Sequence, residues 1–230
     1  ALGAETESRV EGYRVAVASA WTGEFFHRAY FGDGNPVHAD QIDLEAQVWG
    51  LIGNTFSEPG QRQALIERIA EQLDEPSPMG ATMIPGGDVW PAISGLLSWG
   101  YASTDPERAW AHLGRNTMAA HARAFPEVWY GIWSGPDGVS SKDGLAWASQ
   151  VTPMTDFPTQ NNNQHAMPLL AALRVAGVQA TAHGLSISPS VPSRRLSLVS
   201  ALIEVSEGDG ASGRTLTGIY NPPGTAPRRR

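Results

Sequence analysis

The sequence predicts a mainly α-helical body followed by a small β segment. Between Asp43 and Ala124 apolar residues return at helical spacing, in runs separated by glycine- and proline-rich loops. After Gly184 the period changes to two. That change divides the chain into 1–184 and 185–230, and no internal repeat is visible in either part.

Taken in order, Ala1 to Glu11 is polar and reads as structureless, and Gly12 to Ala20 alternates enough for a short strand or an extended lead-in. From Asp43 to Thr55 the apolar positions 44, 48, 51 and 52 form a helical stripe with Asp43 placed to cap its start. Glu58, Pro59 and Gly60 end it. A second stripe, Leu65, Ile66, Ile69, Ala70 and Leu73, faces charges on the opposite side, which predicts an amphipathic helix from Gln61 to Leu73. Residues 76–87 carry too much proline and glycine for regular structure. The next helix, from about Val89 or Ala92 to Tyr101, is apolar nearly all round and therefore buried. Asp105 as N-cap and Pro106 in the first turn open a helix running to about Ala124. Trp49, Trp99 and Trp110 fall on these stripes and read as core.

Residues 125–164 form a forty-residue stretch rich in Gly, Pro, Trp and Asn. Its three tryptophans argue against disorder and for a functional loop. A short buried helix from Ala166 to Ala176 follows. Leu185 and Ile187, then Leu196 to Val205, a turn at 208–213 and Leu216 to Tyr220 read as strands and a hairpin.

The totals exclude several functions. A chain of 230 residues with 41% apolar content can bury a substantial core, while 25 glycines and 17 prolines imply long loops. The net charge is −7, with basic residues clustered only at Arg228 to Arg230, so no nucleic-acid partner is expected. No run of 18 apolar residues occurs and no signal pattern opens the chain, so no membrane association is expected. The absence of cysteine excludes disulfides and thiolate metal sites, and His27, His38, His165 and His183 share no metal-ligand spacing; neither metal nor cofactor is expected. The compartment stays open, with the cytoplasm as default. Both ends look cut, so the partners expected are the remainder of a longer chain or a second copy.

The stretch from Trp21 to Pro36 concentrates the chemistry. It holds two carboxylates, Glu24 and Asp33, with Arg28, His27 and five aromatics, and closes in a Gly-Asp-Gly-Asn-Pro turn. Aromatic planes beside directional polar groups suit a sugar ring. An amphipathic segment with Phe25, Phe26 and Tyr30 in the core has the same composition.

The run from Trp21 through Gly23, Glu24, Phe25, Phe26, Arg28, Ala29, Tyr30 and Phe31 to Pro36, followed by Ile42 to Trp49, resembles the loop and helix start that carry the active site of glycoside hydrolase family 94. Gly177 to Pro192 is similar to the passage leaving that family's helical barrel. The resemblance spans about 180 residues. It implies part of an (α/α)6 barrel, an activity on glycosidic bonds, and substrate contacts from Arg28, Glu45 and Gln47.

Inverting cleavage needs an acid at the leaving oxygen and a nucleophile on the opposite face. The family's acid is an Asp directly before the Gly-Glu pair, where this chain has Thr22. The family's phosphate-binding Lys and His fall on Met83 and Pro91, and its Thr-Gly pair falls near Asn161 and Asn162. Hydrolysis or glycosyl transfer of β-linked glucosides is therefore expected over phosphorolysis. The alternatives are an inverting glycoside phosphorylase that recruits phosphate differently, and a non-catalytic glycan-binding domain. The candidate catalytic carboxylates are Glu24, Asp88 and Asp156; the last two lie among aromatics, which would raise a carboxyl pKa toward that of a working acid, or else serve as caps or loop staples. Trp21, Trp90 and Trp129 read as sugar-stacking platforms or as core. Asn162, Gln164 and His165, arriving just before a buried helix, offer amide and imidazole groups for an oligosaccharide substrate.

Overall fold

The computed structural model describes residues 2–129, 137–147, 162–189, 191–192, 196–200, 203–210 and 213–220. Over these the chain is 46% helical and 19% strand, with the strands in small antiparallel sheets. This is a mixed architecture and corrects the expectation of a mainly α chain forming part of an (α/α)6 barrel. The helices gather on one central helix; one small sheet occupies connectors that the sequence presents as loops, while the strands after Gly184 fall where the change of period expects them.

The first difference is at the amino end. Residues Leu2–Ser19 form helix α1, where structureless chain and a short strand are expected. Ion pairs of Glu5 with Arg9 (2.9 Å) and of Glu11 with Arg14 (3.9 Å) line its surface. It has no apolar face because it buries almost nothing; only Val17 and Ala20 at its end reach the core. A helix that packs against nothing leaves no periodic signature.

Helix α2 (Leu44–Gly53) buries Leu44, Gln47, Val48 and Leu51, and ends on Asn54 in the left-handed conformation, whose N–H reaches the carbonyls of Gly50 and Leu51. Asp43 stands at its N-cap as expected, but makes no capping hydrogen bond. Helix α3 (Gln61–Ile69) runs into a π-helical turn, Ala70–Asp74, that brings Leu73 and Asp74 inside. Helix α4 (Pro91–Ala102) is the hub. It is buried on nearly every side, and packs on α2, on α5 (Pro106–Arg115) and on α8 (Asn162–Val175). Gly100 of α4 admits Leu51, since a Cβ there would stand 3.1 Å from the leucine's own Cβ.

Asp105 caps α5 by accepting from the Arg108 N–H, as expected from Asp105 and Pro106. The helix then breaks at Asn116, where the sequence suggests continuity. The Asn116 side-chain amide donates to the Pro91 carbonyl (3.0 Å), and Thr117 caps a new helix, α6 (Met118–Ala124). The short α7 (Pro126–Trp129) follows.

Three small sheets complete the fold among the described residues. Strands β1 (Asp88–Val89), β2 (Gly138–Ser140) and β3 (Ala146–Trp147) pair in that order, with Asp88 opposite Ser140 and Gly138 opposite Trp147. Strands β4 (Val178–Thr181) and β5 (Gly184–Ile187) form a hairpin. Strands β6 (Leu196–Val199), β7 (Ile203–Gly210) and β8 (Gly213–Tyr220) form a meander. The first sheet lies within the predicted loops, because strands of two or three residues are too short to show alternation.

One polar network is sealed inside. His112 of α5 is fully buried, and its Nε2 accepts from the Ala81 N–H (3.2 Å), which leaves Nδ1–H to donate to Ser98 Oγ of α4 (2.8 Å). Asp74 lies 3.5 Å from Nε2 and pairs with Arg115. Burial pushes the His112 pKa down to about 4, against the upward pull of Asp74. Gly80, with φ +101°, passes so close that a Cβ would stand 2.8 Å from Ser94 Oγ. The network ties the 76–83 segment to α4 and α5.

Candidate functional site

The stretch 21–36 folds as two tight turns laid against α2. In the first, the Thr22 N–H donates to the Phe25 carbonyl (2.9 Å), and Thr22 Oγ1 accepts from the N–H groups of Glu24 and Phe25 while donating to the Phe25 carbonyl. Gly23, at φ +109°, supplies the conformation this turn requires. Thr22 thus shapes the loop with its N–H and its hydroxyl. Trp21 bridges to Phe26, and the two rings meet edge-on with centroids 4.9 Å apart, beside Phe56. Phe25 and Phe26 are core. The Phe26 ring rests on Gly50 of α2, where any Cβ would come within 2.7 Å of it.

Gln47 holds this turn to the helix. It is fully buried, accepts from the Phe26 N–H (2.8 Å) and donates to the carbonyls of Phe26 (2.8 Å) and Asp43 (2.9 Å). It serves the backbone of the site and stands behind its surface.

The second turn presents the surface. Tyr30 bridges to Pro36, the Phe31 N–H donates to the Asn35 carbonyl, and Gly34 turns at φ +85°. The Asp33 carboxylate accepts from the backbone and side-chain N–H groups of Asn35, which lowers its pKa. Phe31 is 60% exposed and Tyr30 nearly half so. His27 reaches the Tyr30 hydroxyl (3.1 Å) and the Ala39 carbonyl (3.3 Å), steadying the ring from behind.

Between this turn and the start of α2 lies a charged cluster. The Arg28 side chain, 42% exposed, stands 3.8 Å from Asp43 and 3.5 Å from Glu45. His38, held at φ +53°, approaches the other Asp43 oxygen at 3.2 Å. Asp43 itself is buried, so its partners sit outside it toward solvent. Two acids at the positive end of α2 agree with the helix dipole. Neither Arg28 contact is a hydrogen bond, so its N–H groups keep donor capacity. Exposed guanidinium, carboxylate and imidazole groups can hold hydroxyls, and the exposed Tyr30 and Phe31 rings of the same loop can cover an apolar ring surface.

No protein-family model and no curated protein matches this chain.

The remaining candidate residues are placed as follows. Arg28 and Glu45 come together, with Gln47 beneath them. Glu24 points away to Arg68 of α3 (2.8 Å) in an exposed ion pair. Trp21 packs into the aromatic cluster on the core, and Trp90, at the N-cap of α4, packs against the same core. Asp88 lies half-buried in β1, where its carbonyl accepts from the Met83 N–H (2.8 Å). Asp156 and Asn161 lie outside the described residues. The backbone of Asn162, Gln164 and His165 opens α8 and that of Trp129 ends α7, their side chains lying outside the described part. Of the tryptophans expected in the core, Trp49 and Trp110 are instead largely exposed and Trp99 is half-buried. Sequence reasoning missed His38 and Asp43 as members of the site. The signal available was Asp43 itself, an acid before a helix whose side chain makes no cap.

Proposed function

We propose that this chain is part of a carbohydrate-active enzyme resembling glycoside hydrolase family 94, and that it engages β-linked gluco-oligosaccharides through the face made by Arg28, Glu45, His38, Tyr30 and Phe31. The observation that carries this is the Arg28 guanidinium between two carboxylates, exposed and not hydrogen-bonded by either, on the loop that also exposes the Tyr30 and Phe31 rings. Hydroxyls of a sugar would complete its hydrogen bonds, and the rings would cover the sugar's C–H face. Hydrolysis or transfer is preferred to phosphorolysis because Met83 and Pro91, at the family's phosphate-ligand positions, are both buried and bring no cation. The proposal includes the cytoplasm as compartment and the remainder of a longer chain, or a second copy, as partner. No helix among the described residues is long and apolar enough to cross a membrane.

A second reading, glycan binding without turnover, is favoured by two observations at the loop. The Thr22 hydroxyl is committed to its own turn, and Glu24 is held on the surface by Arg68, away from any dry pocket in which a carboxyl could act as an acid. Titration calorimetry with cellotetraose, run beside a product assay with and without phosphate, tests both readings. Heat and product in plain buffer support hydrolysis, heat alone supports the binding domain, and product only with phosphate returns phosphorolysis. No heat with any β-gluco-oligosaccharide refutes the saccharide reading altogether.

A further inference from the structure

The other end of α2 carries a second cleft. Its volume is about 590 Å³, and it lies where the C-terminal ends of α2, α4 and α8 meet the β4–β5 hairpin. A volume of that order suits a small molecule. Among the described residues that line it, Arg62 and Arg174 are cationic and none is acidic, in a chain whose net charge is −7.

The two arginines differ in what they have left to give. Arg62 has four of its five N–H groups engaged: Nε donates to Thr104 Oγ1 (2.6 Å), Nη1 to Asn54 Oδ1 (3.0 Å), and Nη2 to Ser103 Oγ (2.7 Å) and the Gly100 carbonyl (3.3 Å). It crosslinks the ends of α2 and α4, where carbonyls converge and the helix dipoles are negative. Ser103 and Thr104, accepting from the guanidinium, keep their own O–H protons to donate elsewhere. Arg174 lies over the Trp99 ring, 5.1 Å from its centre, and donates from Nη1 to the Val178 carbonyl (2.7 Å). Its Nε is buried without a hydrogen-bond partner. On the opposite lip, Gln179 and Ser186 face each other across the hairpin.

We infer that this cleft binds a small organic oxyanion, a carboxylate or a phosphate head group, with Arg174 supplying the guanidinium fork, Trp99 the wall and the Ser103 and Thr104 hydroxyls further donors. The planar fork of arginine fits both head groups. The proposal does not rest on the saccharide reading: α2, ten residues long, separates the two sites by about 15 Å.

The test is a nitrogen-15 NMR titration of the full chain with inorganic phosphate and, separately, citrate, each against sodium chloride of matched ionic strength. Saturable shifts of the Arg174 Nε–H and Trp99 indole resonances with phosphate or citrate are expected, and the anion that gives them identifies the head group. Gln179→Glu places a carboxylate on the exposed lip without removing any hydrogen bond described there. It should weaken binding by at least about tenfold while the rest of the spectrum stays unchanged. Arg174→Lys, which keeps the charge and loses the fork, should weaken it as well. Shifts that grow linearly and match those with chloride, or an unchanged affinity in Gln179→Glu, would overturn the proposal.

Discussion

Two clusters in this molecule are built from the same three side chains. Around Asp74 stand Arg115 and His112, and around Asp43 stand Arg28 and His38. In both, the aspartate is sealed, with a side-chain exposure of 1% and 3%, and the arginine is about one-third exposed or somewhat more. The histidines separate them. His112 is fully buried and hydrogen-bonded on both ring nitrogens, whereas the His38 side chain is 49% exposed. The same chemistry therefore fixes a segment of backbone in one place and leaves a polar face open in the other. Burial decides which.

If that difference is real, removing the two aspartates must have unequal effects. Asp74→Ala takes from Arg115 the sealed carboxylate it pairs with, and should cost about 3 kcal/mol in urea unfolding. Asp43→Ala leaves partners that water can reach and should cost about 1 kcal/mol. Equal losses would break the comparison.

The pH dependence sharpens it. His112 has a pKa of about 4 in the folded chain against an ordinary 6.5, so between those values the unfolded chain holds a proton that the folded one refuses. Stability should accordingly fall as pH drops from about 6.5 to about 4, by about 3 kcal/mol in all, and be fully present above that window. His112→Gln should reduce this slope relative to the unsubstituted protein, leaving the part that the buried His121, also lowered by burial, contributes, while His38→Gln should leave the slope in place. The check is the unfolding midpoint measured across that range for all three proteins.

Next in size comes Gln47, which joins the open site to the interior. Replacing it by leucine leaves the buried N–H and carbonyl of Phe26 and the Asp43 carbonyl without their partner, at about 2–3 kcal/mol. Because it releases the first turn from α2, the same substitution should also reduce oligosaccharide heat in calorimetry. Stability lost with saccharide binding intact would separate the turn from the face.

How much of this was legible beforehand follows from burial too. Helices α2, α3, α4 and the start of α5 were readable because each buries one face or all of itself, leaving a stripe in the residues. Helix α1 was not, since it buries nothing, and β1, β2 and β3 were too short to alternate. Trp49 and Trp110 sit at helical spacing among apolar neighbours yet face outward, because periodicity marks a stripe's position and not its edge. Arg28, Glu45 and Gln47 are candidates only through the resemblance; the structure brings Arg28 and Glu45 together and gives Gln47 to the backbone of Phe26 and Asp43. His112 left only a faint mark: Ser94 and Ser98, four apart on an otherwise apolar helix, are the small polar groups that a buried imidazole across from them needs. The cleft at the far end of α2 draws its residues from six segments, an assembly that no local pattern announces.

The smallest effects on stability should come from the loop's two surface charges, and there the comparison becomes functional. Arg28→Ala removes a pair with Glu45 and a 3.8 Å approach to the sealed Asp43, which keeps its contact with His38, and Glu24→Gln removes one exposed pair; each should change unfolding free energy by no more than about 1 kcal/mol. Their effects on saccharide should diverge. Arg28→Ala removes the one guanidinium on the face with donors to offer and should weaken cellotetraose binding by about tenfold or more. Glu24→Gln keeps size and hydrogen bonding while losing the proton-donating group, so binding should persist. If product forms in the unsubstituted chain and survives Glu24→Gln, the acid lies elsewhere; if product alone disappears while heat remains, Glu24 is the acid and its contact with Arg68 must open during turnover. A variant pair that leaves both heat and product untouched would mean that the open cluster, for all its exposed donors, is a surface that binds no sugar.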